Sequence, residues 1–145
     1  MASALIKTSN GWRERVIAEA RSWVGTPYHH LADLKGVGVD CAMLTWRVFH
    51  DLDLFDVPDP RPYPIHWHLH RSEERYLLSF ETWAYPTDDP KPGDIALFRF
   101  GRTVSHSGIL TTPETMVHAY LNQGCWEQEV TTFADRLHSF WSITK

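Results

Sequence analysis

A cysteine and two histidines are the residues of this chain best suited to covalent chemistry: Cys41, His106 and His118. Asp40 stands directly before the cysteine, and aspartate is a preferred N-cap residue, so we expect Cys41 at the start of a helix. There the helix dipole and the unpaired backbone N–H groups lower the pKa of a thiol and can stabilise an oxyanion. Cys41 is therefore a candidate nucleophile for carbonyl substrates. The other interpretation is a small buried side chain, the usual state of a lone cysteine.

A thiol nucleophile needs a base within reach, and the base needs a polar group that fixes its tautomer. His106 precedes the apolar run 108–110, and His118 ends the run 115–117, with a turn around Pro113 between them. Paired as a hairpin, two such strands would set the imidazoles side by side. Both histidines are candidates for the base.

The first half of the chain has the periodicity of helices. Apolar residues recur at helical spacing over 12–24, and Asn10 is the expected cap of this first helix. A second helix is predicted over 41–51, and a third over 72–83. The second of these helices begins at Cys41 and must position its side chain.

The second half of the chain consists of short β-rich runs separated by Gly, Pro and Asn, and begins at Asp94, which is expected to fix a turn. Helices first and strands afterwards predict an α+β fold, with N-terminal helices packed on one face of a C-terminal antiparallel sheet. We expect a single domain over residues 1–145. The predicted strands are 95–100, 107–111, 115–120, 125–132 and 140–144.

Composition excludes several classes of function. A net charge of -4 gives no basic surface for nucleic acid, and no apolar run approaches the roughly 18 residues of a membrane span. Residues 1–7 are too short and weakly apolar for a signal peptide, so the chain is expected to be cytoplasmic as synthesised. In that compartment Cys41 and Cys125 are free thiols, and Cys125 is expected to pack in a strand.

Five segments resemble, in order, the signatures of the NlpC/P60 cysteine peptidases: "WVGTPYHH", "GVDCAMLTW", "KPGDIALF", "SHSGIL" and "MVHAY". The resemblance covers nearly the whole chain and implies a papain-like fold. It also implies that Cys41 is the nucleophile, His106 the general base and His118 the residue that orients it, with Tyr28 and Asp40 lining the substrate site. The implied reaction needs no cofactor. It cleaves peptidoglycan stem peptides, usually between D-γ-glutamyl and the diamino acid.

The segment "PIHWHLHRSEERYL" resembles an insertion in tail-associated members encoded by phages and gene-transfer agents. This resemblance implies a virion protein that reaches the cell wall on the particle, with phage tail proteins as partners. Within the same segment, His66, His68 and His70 alternate with apolar residues and invite a zinc interpretation. No fourth ligand has a recognisable spacing, so we expect no metal.

One departure from the family pattern leaves alternatives open. Ala42 and Met43 stand where members most often have Ser-Gly, and the missing hydroxyl weakens the expected hold on a free substrate amine. The chain could then be a tail-assembly or wall-binding module that keeps the fold without hydrolysis. It could also be a thiol-dependent acyltransferase, since an amine or alcohol can resolve a thioester as water does.

Overall fold

A six-stranded antiparallel sheet and three helices form the core of the protein, in a computed structural model that describes residues 6–63 and 75–145. The helices are α1 Trp12–Arg21, α2 Cys41–Asp51 and α3 Arg75–Glu81. The strands are β1 Asp33–Leu34, β2 Gly38–Val39, β3 Tyr85–Thr87, β4 Ile95–Phe100, β5 Thr103–Leu110, β6 Thr115–Tyr120, β7 Gly124–Glu129 and β8 Leu137–Ser142, and a 3₁₀ segment covers Val130–Arg136.

The large sheet has the order β3-β8-β4-β5-β6-β7, while β1 and β2 pair only with each other. Its two faces carry different cores. Alternate residues such as Ile95 and Leu97 pack with the helices, and Ala96 and Phe98 pack on the opposite face beneath the 3₁₀ segment. The predicted α+β fold with helices on one face of an antiparallel sheet is therefore confirmed.

The helix predictions hold for α2, whose bounds and Asp40 cap are as expected. The predicted cap of α1 is wrong: Gly11 occupies the N-cap with a φ of 80°, and no side chain makes a capping hydrogen bond. Glycine adopts this left-handed conformation without the steric cost that other residues meet. The predicted start of the third helix at Ser72 lies outside the described residues, as do His66, His68 and His70.

Asp94 fixes the turn before β4, as expected from its place after Gly93. Its carboxylate accepts the Lys91 N–H at 2.9 Å, and its backbone N–H donates to the Lys91 carbonyl. Arg13 of α1 donates to the same carboxylate at 2.9 Å. This partly buried ion pair joins the first helix to the sheet. No helix within the described ranges has the length and apolarity to cross a membrane.

Candidate active site

A cleft of about 560 Å³ opens where the start of α2 meets β5 and the 3₁₀ segment. Four of the five residues singled out from the sequence line it: Tyr28, Asp40, Cys41 and His106. The fifth, His118, is completely buried and lies directly behind His106. The structure thus brings all five into one region.

Cys41 is the first residue of α2, as its position after Asp40 predicts. One carboxylate oxygen of Asp40 accepts the Met43 N–H at 2.9 Å and caps the helix. The thiol approaches β5 from the helix-covered face of the sheet, where Sγ lies 3.7 Å from the Ser105 carbonyl oxygen. The Tyr76 hydroxyl also lies 3.7 Å from Sγ and is fixed by a 2.6 Å hydrogen bond with Ser107.

Burial raises the pKa of the Cys41 thiol to about 12, and the negative charge of Asp40 adds to this effect. The Tyr76 hydroxyl and the backbone N–H groups of Ser107 and Ala42 lower the pKa and offset part of the increase. The sequence-based expectation of a lowered thiol pKa is therefore not met in the free protein. Only 8% of Cys41 is exposed, so lost hydration outweighs the helix dipole.

A chain of hydrogen bonds fixes the two histidines. Nε2 of His106 lies 2.8 Å from Nδ1 of His118, and Nε2 of His118 lies 2.6 Å from Oε1 of Gln128. An amide oxygen only accepts hydrogen bonds, so Nε2 of His118 carries a proton. Nδ1 of the neutral His118 therefore accepts a hydrogen bond from the Nε2–H of His106. Nδ1 of His106 is left with a free lone pair, the form required of a base.

Both imidazoles are neutral at neutral pH. Burial lowers the pKa of His106 well below its ordinary value, and the neighbouring His118 lowers it further. Burial also lowers the pKa of His118, while its hydrogen bond to Gln128 acts in the opposite direction. The tautomer assigned from the hydrogen bonds is therefore the populated form.

The histidine pair lies on the sheet face that the 3₁₀ segment covers, and both rings contact Phe133. Cys41 reaches β5 from the other face, and the hydrogen bonds among the described residues do not join Sγ to the His106 ring. Cys41 and His106 both line the cleft. Catalytic hydrogen bonds are often longer in a free enzyme and tighten when substrate binds.

Gly108 provides the space for His118 on the neighbouring strand. A Cβ atom at this position would overlap Sδ of Met116 and lie 3.3 Å from Cβ of His118. A side chain at the glycine of the "SHSG" segment would therefore have to displace the Met116 side chain and crowd His118.

Asp40 is 1% exposed, and both its carboxylate oxygens are already hydrogen-bonded. The Tyr63 hydroxyl lies 2.7 and 2.6 Å from the two oxygens, and the Leu31 N–H donates to one of them at 2.8 Å. Tyr63 and Tyr28 both line the cleft beside this carboxylate. Burial, with the charge of Asp40, raises the pKa of both tyrosines, so their hydroxyls stay protonated.

Three residues of this region were missed in the sequence: Gln128, Tyr63 and Tyr76. Gln128 lies two residues beyond Trp126, the partner of His118 in the β6–β7 register, and so on the same face of the sheet. The sequence carries that signal, but only once the register is known. The two tyrosines precede and follow residues 64–74, and no local pattern connects either of them to Cys41.

Cys125 is a free thiol on β7 and is 2% exposed. It packs in the core between the sheet and the helices, and burial raises its pKa to about 12. Among residues 6–63 and 75–145, no three His, Cys, Asp or Glu side chains form a group able to hold a metal ion.

Comparisons with known proteins agree with this fold. The model of the NlpC/P60 family matches residues 25–141. The NlpC/p60 domain of the peptidoglycan hydrolase SagA has a TM-score of 0.62 and 18% identity, with 90% of this chain and 97% of that chain covered. NlpC2 of Trichomonas vaginalis has a TM-score of 0.68 and 18% identity, covering 94% of this chain and 50% of its own. No curated protein gives a significant match.

A lipoprotein-like NLP/P60 protein of Staphylococcus aureus has a TM-score of 0.63 and 16% identity, with 96% of this chain and 43% of that chain covered. At these identities the similarity to solved structures shows a common fold. The chain spans nearly all of the SagA domain, but half or less of the Trichomonas and Staphylococcus chains.

Proposed function

The chain belongs to the NlpC/P60 family, whose members are generally cysteine peptidases that act on peptidoglycan, and on that premise we propose a specific reaction. The protein is a cysteine endopeptidase that hydrolyses peptidoglycan stem peptides at the bond between D-γ-glutamyl and the diamino acid. The observation that carries this proposal is the series of hydrogen bonds that joins Gln128, His118 and His106. It leaves Nδ1 of His106 unprotonated, and His106 lines the same cleft as Cys41.

In the proposed reaction, Sγ of Cys41 attacks the γ-glutamyl carbonyl carbon while its proton passes to Nδ1 of His106. The tetrahedral intermediate places its negative oxygen at the start of α2, where the first N–H groups of a helix have no intrahelical partner. His106 then returns the proton to the leaving amine, and a thioester remains on Cys41. Water attacks the thioester with His106 again as base, which releases the γ-glutamyl carboxylate and restores the thiol.

The raised pKa of Cys41 and the lowered pKa of His106 disfavour an ion pair in the free enzyme. Proton transfer therefore accompanies the attack instead of preceding it. The charge that develops on His106 is shared with His118, whose Nδ1 accepts the hydrogen bond from Nε2. Gln128 holds His118 in the tautomer that permits this.

Tyr28 and Asp40 are proposed to contact the substrate at the end of the cleft near the start of α2. A substrate amine could reach the Asp40 carboxylate only by displacing the Tyr63 hydroxyl, because both carboxylate oxygens are already hydrogen-bonded. The side chain of Ala42, which also lines the cleft, offers no hydroxyl to replace that bond. We therefore propose that the enzyme does not require a free N-terminal amine and accepts stem peptides still attached to glycan.

The phage type of the enzyme and its delivery to the wall on a tail are proposed from the resemblance of the segment "PIHWHLHRSEERYL", most of which lies outside the described residues. Tail proteins are the proposed partners. An electron micrograph of particles labelled with an antibody to this chain would test the association directly.

The experiment that tests the proposed reaction is digestion of purified sacculi and of a defined muropeptide, with the products identified by mass. The wild type and Cys125→Ala are expected to release a new γ-glutamyl carboxyl end and a new amino end on the diamino acid, and Cys41→Ala neither. No cleavage by the wild type, with retained binding to sacculi, would favour the wall-binding module. Transfer of the acyl group to an added amine in preference to water would favour the acyltransferase.

A further inference from the structure

Arg136 is the only lysine or arginine among the described residues that line the cleft. It ends the 3₁₀ segment, and its guanidinium lies over the ring of Phe100, with Cζ 5.3 Å from the ring centroid. The Phe100 ring in turn lies 5.4 Å from the imidazole of His106. A positive charge thus stands one aromatic ring away from the candidate base.

This charge has no acidic partner among the ion pairs of the described residues. The neighbouring Asp135 lines the same cleft without pairing with it, and the carboxylate of Asp40 is committed to Tyr63 and the backbone. Contact with the face of Phe100 restricts the guanidinium, so less side-chain freedom is lost when a ligand binds. The cleft therefore presents a preorganised donor for an anion.

We propose that Arg136 binds the free α-carboxylate of the γ-glutamyl residue that supplies the scissile carbonyl. This inference rests on the proposed function. A γ-linked glutamyl residue keeps its α-carboxylate, which is separated from the scissile carbonyl by two methylene groups and the Cα atom. With that carbonyl at Cys41 and His106, the carboxylate reaches towards the rim formed by Phe100 and Arg136. A guanidinium and a carboxylate can form bidentate, charge-assisted hydrogen bonds.

The assignment makes Arg136 a specificity determinant, because peptidoglycan stem peptides occur with this carboxylate either free or amidated. An amide has the same shape but no charge, and its NH₂ group faces a residue that only donates hydrogen bonds. The enzyme is expected to discriminate against the amidated peptide.

Two synthetic peptides test this, identical except that one carries γ-D-glutamate and the other its α-carboxamide. The wild type is expected to cleave the carboxylate peptide with a kcat/KM about 10- to 100-fold higher. Arg136→Gln is expected to lose that preference by slowing the carboxylate peptide alone, while Arg136→Lys keeps part of it. Arg102→Gln, which removes an exposed charge outside the cleft lining, is the matched control and keeps the full preference.

Equal cleavage of both peptides by the wild type would overturn the role of Arg136 and leave the proposed reaction intact, without need of any variant. An equal decrease on both peptides in Arg136→Gln would also overturn it, because that result indicates a general effect on folding or catalysis. Failure of the wild type to cleave either peptide would reject the proposed function itself, and this inference with it.

Discussion

Nε2 of His106 and Nδ1 of His118 lie 2.8 Å apart across neighbouring strands of the sheet. The two residues are twelve positions apart in sequence, and the β5–β6 register pairs Ile109 with Val117, which sets them diagonally on one face. The contact fixes the orientation of the His106 ring. It also leaves the opposite ring nitrogen, Nδ1, unprotonated, as the proposed role of His106 as base requires.

Replacing His118 by alanine is expected to lower kcat by about 10²-fold or more, because the Nε2–H of His106 loses its acceptor and the ring loses its orientation. KM is expected to change little, since His118 does not line the cleft. Steady-state kinetics on the defined muropeptide measures both. His138→Ala, which removes an exposed imidazole from β8, is the control, and a kcat equal to wild type in His118→Ala would reject the orienting role.

Gln128 is expected to act through the tautomer of His118. Gln128→Glu keeps an acceptor and adds a charge that raises the pKa of His118, and a protonated His118 can no longer accept from His106. The acid limb of the pH–rate profile should therefore move to higher pH, with activity retained above it.

Gln128→Lys offers only a hydrogen-bond donor to Nε2 of His118. It should therefore reverse the tautomers of both histidines and abolish activity. Nitrogen NMR of the imidazoles reads the tautomers directly, and unchanged signals in Gln128→Lys would contradict this account.

Cys41 is expected to react slowly with iodoacetamide at pH 7, because burial and Asp40 raise its pKa to about 12. Below the pKa the thiolate fraction grows about tenfold for each pH unit, so the rate should rise throughout pH 7 to 9. The measurement uses Cys125→Ala, in which Cys41 is the remaining thiol, and urea-unfolded protein as the reference for a free cysteine. A rate that is fast at pH 7 and independent of pH would instead indicate a preformed ion pair with His106.

Local patterns in the sequence were sufficient for several elements. The predicted bounds of β4 and β6 match the structure, since each is an apolar run between turn residues. The start of α2 follows from Asp40. The pairs β1–β2 and β3–β8 were missed: β1 and β2 have two residues each, and β3 contains Pro86, which argues against a strand.

The placement of the candidate site residues was predictable where neighbours in sequence or in a hairpin define it, as for Cys41, His106 and His118. Gln128 required the register between β6 and β7, and the contact of Tyr63 with Asp40 depends on how distant segments pack. The shift in the pKa of Cys41 was predicted in the wrong direction for a similar reason. A helix start can be recognised locally, whereas the burial of its first side chain is set by the whole fold.

The ion pair between Arg13 and Asp94 is expected to stabilise the fold. In Arg13→Met the carboxylate of Asp94, which is 1% exposed, loses the charge of Arg13. The free energy of unfolding should therefore fall by about 1–3 kcal/mol. Arg15→Met on the exposed side of the same helix should change it by less than about 0.5 kcal/mol. Urea denaturation measures both variants, and equal effects would show that the Arg13–Asp94 pair contributes nothing specific.

The central claim is that Cys41 forms a thioester with the γ-glutamyl part of the substrate, and acid quenching of the enzyme during turnover tests it most directly. Peptide mass mapping should find the acyl adduct on the peptide that contains Cys41, in the wild type and in Cys125→Ala, and no adduct or cleavage in Cys41→Ala. Cleavage at the wild-type rate by Cys41→Ala, or an adduct on Cys125, would contradict the claim.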